Sequence, residues 1–81
     1  MHAEGLAALA RAVRARYVAQ LRASAERVYP QDPDFALGIK TEAAALEAPD
    51  DPAFAELKPR LINYELLIAG EVNKAARRDT A

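Results

Sequence analysis

Cysteine and tryptophan are missing from this 81-residue chain, histidine occurs once and glycine three times. Without cysteine there is no disulfide framework, no thiolate metal ligand and no cysteine nucleophile. The redox compartment is then unconstrained, and cytoplasm is the default expectation. No apolar run approaches the roughly 20 residues that span a bilayer. The opening Met-His-Ala-Glu-Gly lacks the basic start and apolar stretch of a secretory signal, so neither secretion nor membrane insertion is expected. Gly5, Gly38 and Gly70 stand alone, which rules out a glycine-rich phosphate loop. Neither sign of charge prevails: 11 Lys+Arg face 12 Asp+Glu, a net charge of −1.

Hydrophobic residues make up 52% of the chain, but twenty residues are alanine, so few large side chains remain to fill a core. A chain this short buries only about 60% of the surface it exposes when unfolded. These numbers describe one small domain spanning 1–81, marginal as a monomer. Eight arginines to three lysines, with abundant alanine, fit a GC-rich coding sequence such as a bacterial one.

Apolar periodicity predicts an all-α fold of three helices in an up-down arrangement, over about 4–28, 33–47 and 52–78. In the first, Leu6, Leu9, Val13, Tyr17, Leu21 and Val28 recur at helical spacing, with Ala10 and Ser24 completing the stripe. Tyr29-Pro30 ends it, because the residue before a proline is pushed out of the helical region. Asp32-Pro33 and Asp51-Pro52 each read as a helix start, Asp as N-cap and Pro at the first helical position. The second helix should bury Phe35, Leu37 or Ile39, and Leu46; Gly38 inside it costs about 1 kcal/mol relative to alanine. Pro59 falls inside the third segment and predicts a kink or break near Lys58, with Phe54 and Leu57 folding back on the neighbours.

Charge is placed unevenly along the chain. Residues 1–28 carry five arginines against two glutamates, 29–57 one lysine against seven acids, and 58–81 five bases against three acids. Two basic segments therefore flank an acidic one of net −6. Internal charge matching, with the middle helix docked between or across the others, is the expected consequence.

The third helix is the most informative. Leu57, Leu61, Tyr64, Ile68, Val72 and Ala75 share one stripe; Ile62, Leu66 and Ala69 form a second, and Leu67 lies on a third side. A helix apolar on several sides needs more than one neighbour. The expectation is a homodimer that completes the bundle, with Leu61, Ile62, Tyr64, Leu66, Leu67, Ile68 and Val72 as interface residues. A monomeric bundle with this helix as its core is the alternative. Asn63 and Asn73 either face solvent at the stripe's edge or fix register against their own copies.

Catalytic and metal constellations are nearly absent. His2 sits at a terminus, and Ser24 lies on an apolar stripe where it can bond back to its own helix. Asp32, Asp34, Asp50 and Asp51 match no calcium loop, and capping explains two of them. Glu42 and Glu47 lack the histidine spacing of a di-metal bundle. No enzyme activity, cofactor or metal is expected.

Arginines of the first helix invite a nucleic-acid reading. Arg11, Arg14 and Arg22 lie on one flank of the apolar stripe, Arg16 and Arg27 on the other, so no continuous basic face forms in one copy. The first functional expectation is a self-associating protein–protein interaction module. The alternative is a small dimeric nucleic-acid regulator using Arg11, Arg14 and Arg22. Over about a quarter of the chain, Asp51-Pro52 through Glu71-Val72-Asn73 resembles the terminal helix of the short YlbF-like helical regulators. That likeness implies an oligomeric, non-enzymatic adaptor in RNA processing and assigns no residue roles; the chain is shorter than that family.

Overall fold

A computed structural model describes residues 3–80, with side chains from 3 to 78. They form helix α1, Ala3–Val28, helix α2, Pro33–Glu47, a short 3-10 turn, Pro52–Leu57, and helix α3, Lys58–Thr80. No strand occurs among the described residues.

Each boundary has a local chemical cause. The Tyr29 amide still donates to the Ala25 carbonyl, closing the last turn of α1, and the Gln31 and Asp32 amides then donate to the Val28 carbonyl across the turn at Pro30. The Asp32 carboxylate accepts from the Phe35 amide at 3.1 Å, and Pro33 begins α2. Asp51 repeats the device by accepting from the Ala53 amide at 2.9 Å. Here the result is a 3-10 turn, because Phe54 adopts φ −107°, ψ 15° and leaves helical geometry. Phe54 bends the chain within the turn, and α3 starts afresh at Lys58, so the break expected near Lys58 is present. Pro59 is the second residue of α3 and not an interior one; there its missing N–H is one of the donors that a helix start leaves without an intrahelical partner.

Alanine sets how α1 and α2 pack. Ala25, Ala36 and Ala43 are completely buried, so the two backbones of this antiparallel hairpin approach closely; Val18, Leu21 and Leu46 fill the remaining space. Turning its alanines inward leaves α2 with Phe35 60% exposed and Leu37 64% exposed, against the expectation that Phe35 belongs to the core. Ile39 is half-buried and Leu46 fully buried, as expected.

Helix α3 also runs antiparallel to α1. Tyr64 meets Tyr17, and Glu71 and Ala75 lie beside Leu9 and Val13. Both α2 and α3 therefore rest on α1, α2 along its C-terminal half and α3 continuing toward its N-terminus. The 3-10 turn carries the chain back between them, with Phe54 and Leu57 packed against the core. Leu61 and Ile68 bring α3 into that core. The principal extents are 48 × 27 × 17 Å. Helix α3 has α1 on its inner side, while Ile62, Leu66 and Leu67 stay exposed on its outer side.

Candidate functional site

Besides Phe35 and Leu37 on α2, large apolar side chains are left exposed on the outer side of α3. Ile62 is 54% exposed, Leu66 64% and Leu67 51%. Ile62, Leu66, Ala69 and Asn73 follow one another at intervals of four, three and four residues, so they line one face, with Asn63, Gly70 and Leu67 along its side. All of these are exposed. The other expected interface residues point inward: Leu61 and Ile68 are buried in the single-chain core, Tyr64 stacks edge-on against Tyr17 with ring centroids 5.8 Å apart, and Val72 is half-buried. The separation is physical. The neighbours of α3, which are α1 along its length and the 3-10 turn and the end of α2 near its start, lie to one side, so it turns only one of its two apolar stripes toward them.

Next to this face, a groove of about 300 Å³ opens where α2, the 3-10 turn and α3 converge. Phe54, Leu61 and Ile62 give it apolar walls, with Lys58, Asp50 and Glu65 among its lining residues.

The arginines of α1 are brought together and are largely engaged. Arg11, Arg14 and Arg22 line one groove of about 260 Å³, which also contains Glu47. Arg14 donates to both carboxylate oxygens of Glu65, one of them at 2.8 Å, and to the Leu46 carbonyl at 3.0 Å. Arg22 donates to Glu47 at 2.6 Å. On the opposite flank Arg16 pairs with Glu71, which also accepts the Tyr17 hydroxyl at 3.1 Å. Of Arg14, Arg16 and Arg22, only Arg22 forms an ion pair with an acid of the middle segment; the other two pair with acids on α3, although Arg14 also reaches the Leu46 carbonyl. The charge matching is thus internal, as expected, but most of it joins α1 to α3.

These pairs shift the titration of their carboxylates. The bidentate hydrogen bond from Arg14 holds Glu65 below the usual carboxylate range against the opposing effect of partial burial, and Arg14 is held more firmly protonated in return. Glu71 is lowered chiefly by its hydrogen bond from Arg16, with the Tyr17 hydroxyl and the nearby charges of Arg16 and Lys74 adding to the effect.

The residues considered for chemistry are accounted for by structure. Ser24 accepts from Arg27 at 3.0 Å. Asp32 and Asp51 cap, Asp34 and Asp50 are exposed, Glu42 is half-buried and Glu47 is paired with Arg22. Among the described residues no group of three or more His, Asp or Glu side chains is placed to hold a metal ion. His2 lies outside the described residues. Glu65 and Glu71 were missed as structural partners in the sequence. Their signal was available, since they flank the buried stripe of α3 on opposite sides just as Arg14 and Arg16 leave α1 in different directions. No helix among the described residues is long and apolar enough to cross a membrane. No protein-family model, curated protein or solved structure matches the chain.

Proposed function

We propose that this chain is a non-enzymatic, all-α interaction module that self-associates through the outer face of α3 as a twofold homodimer. The carrying observation is the exposure of Ile62, Leu66 and Leu67 on an element whose opposite side already occupies the core. Covering the exposed half of each such side chain contributes on the order of 1 kcal/mol, and a symmetric interface counts it twice. Asp34, exposed on α2, then remains available to a basic protein partner.

Sedimentation velocity at micromolar concentration tests the reading. A dimer mass is expected, and Leu66→Glu should return monomers with unchanged helix content, because Leu66 lies outside the single-chain core and is 64% exposed. Ile62→Glu should also return monomers, at some cost to the groove it lines with Phe54. A strict monomer across the concentration range overturns it.

The nucleic-acid alternative draws on one observation, the convergence of Arg11, Arg14 and Arg22 on one groove. Glu65 and Glu47 already neutralise two of the three, which weighs against phosphate contact.

A further inference from the structure

We infer that two copies pair antiparallel through α3, with the twofold axis near Leu67 and Ile68, so that Ile62 and Leu66 of each copy lie against Asn73 and Ala69 of the other. This rests on the self-association proposed above and adds its direction and register.

Side-chain size along the face is the first argument. The two large residues, Ile62 and Leu66, occupy its N-terminal part; Ala69, Gly70 and Asn73 occupy its C-terminal part. Parallel pairing in register would set Ile62 against Ile62 and Leu66 against Leu66, then hold the small residues apart across a gap, and packed interfaces do not tolerate such voids. Reversing one copy places large against small along the whole seam. Gly70 fits this arrangement: a Cβ built there meets nothing within 4 Å, so nothing inside a single copy requires the position to be bare.

Charge is the second, independent argument. Around the N-terminal end of α3 the exposed acids Asp50, Asp51 and Glu56 are accompanied by the exposed Lys58 and Arg60, a local net of −1, whereas the C-terminal end carries Lys74, Arg77 and Arg78. Parallel copies would superimpose the two strongly cationic ends. Antiparallel copies bring the cationic end of one helix beside the nearly balanced end of the other, and opposed helix dipoles favour the same sense. The groove at Phe54, Leu61 and Ile62 lies where the last turns of the other α3 arrive; its apolar walls suit the aliphatic stem of an arginine or lysine, and Asp50, beside Lys58 in the lining, is the acid there that Arg14 does not hold.

Because the chain has no cysteine, single thiols report the arrangement directly. Ile62→Cys and Asn73→Cys both change exposed positions. In the antiparallel pair two copies of residue 73 are separated by roughly 16 Å along the axis, as are two copies of residue 62. That exceeds the approximately 7 Å between Cα atoms that a disulfide spans. Under mild oxidation each variant alone should stay uncross-linked, while an equal mixture should give a covalent dimer on a non-reducing gel. Self-cross-linking of the Asn73→Cys variant without a mixed product overturns the antiparallel sense and leaves self-association standing. A dimer mass with no cross-link in any sample overturns direction and register together. A monomer mass for the unmodified chain overturns the underlying reading itself.

Discussion

Arg14 on α1 holds Glu65 on α3 through two parallel N–H···O contacts and donates at the same time to the carbonyl of Leu46, one of the last residues of α2. One guanidinium thereby touches all three helices. The Leu46 carbonyl is among those that the end of a helix leaves without an intrahelical donor, and the cation sits at the negative pole of α2. The Arg14 side chain is 23% exposed and that of Glu65 42%, so solvent weakens the pair without abolishing it.

Arg14→Ala should therefore destabilise the fold by about 1–2 kcal/mol, a value discounted from that of a fully buried charged hydrogen bond. For a domain of this size that lowers the thermal midpoint by on the order of 5–15 °C. Circular dichroism melts measure it. Arg27→Ala, which removes only a contact to Ser24 on the same helix, should change the midpoint far less.

Acid should weaken the same contacts. Glu65 and Glu71 titrate below the ordinary carboxylate value of 4.5, so the unfolded chain takes up these protons first as pH falls. Their contribution is complete above the unfolded value and disappears as pH drops through the lowered folded values. Midpoints should be flat from neutral pH to about pH 5 and fall below about pH 4. Glu65→Gln should be less stable than the native chain at neutral pH, with the gap narrowing in acid, where the protonated glutamate resembles glutamine. A gap independent of pH would show that the charge of Glu65 contributes nothing.

Gly38 lies on the exposed side of α2, and a Cβ added there meets nothing within 4 Å. It has no positive φ to justify it. Gly38→Ala should stabilise the chain by about 0.5–1 kcal/mol by reducing the freedom of the unfolded backbone, read as an upward shift in the melting midpoint. A loss of stability would mean that the Phe35 side of α2 is closed by something a single copy does not contain.

The three helices were legible because their boundaries are written in short-range chemistry: Tyr29-Pro30 stops one, Asp32-Pro33 starts the next, and Asp51-Pro52 restarts the chain. Long-range packing was less so. Apolar periodicity ranks side chains by size and undercounts alanine, so Ala25, Ala36 and Ala43 went unnoticed as the surface along which α1 and α2 meet. Phe35 was assigned to the core for the same reason. The break that Pro59 signals near Lys58 is present, but the pattern did not show that the segment before it winds as a 3-10 turn bent at Phe54. The outer stripe of α3 was visible as Ile62, Leu66 and Ala69, and periodicity could not say which of the two stripes α1 would take. The stripe with more large side chains, Leu61, Tyr64 and Ile68 among them, turns inward, and the Arg14–Glu65 and Arg16–Glu71 pairs flank it.

Nucleic-acid binding can be separated from self-association by following Arg11. It lines the same groove as Arg14 and Arg22, whose guanidiniums are bound to Glu65 and Glu47. A phosphate entering this groove would compete with those carboxylates, and three arginines with two carboxylates leave a local excess of about one charge, too little for the counterion release that drives such binding. Mixed duplex and single-stranded DNA and RNA at low salt should therefore give no gel shift, for the native chain and Arg11→Ala alike. A shift in the native chain that is lost in Arg11→Ala and falls steeply between 50 and 200 mM salt would reverse the conclusion. It would require the dimer to join two such grooves into one basic surface. In that case Leu66→Glu, by releasing monomers, should abolish the shift without touching an arginine.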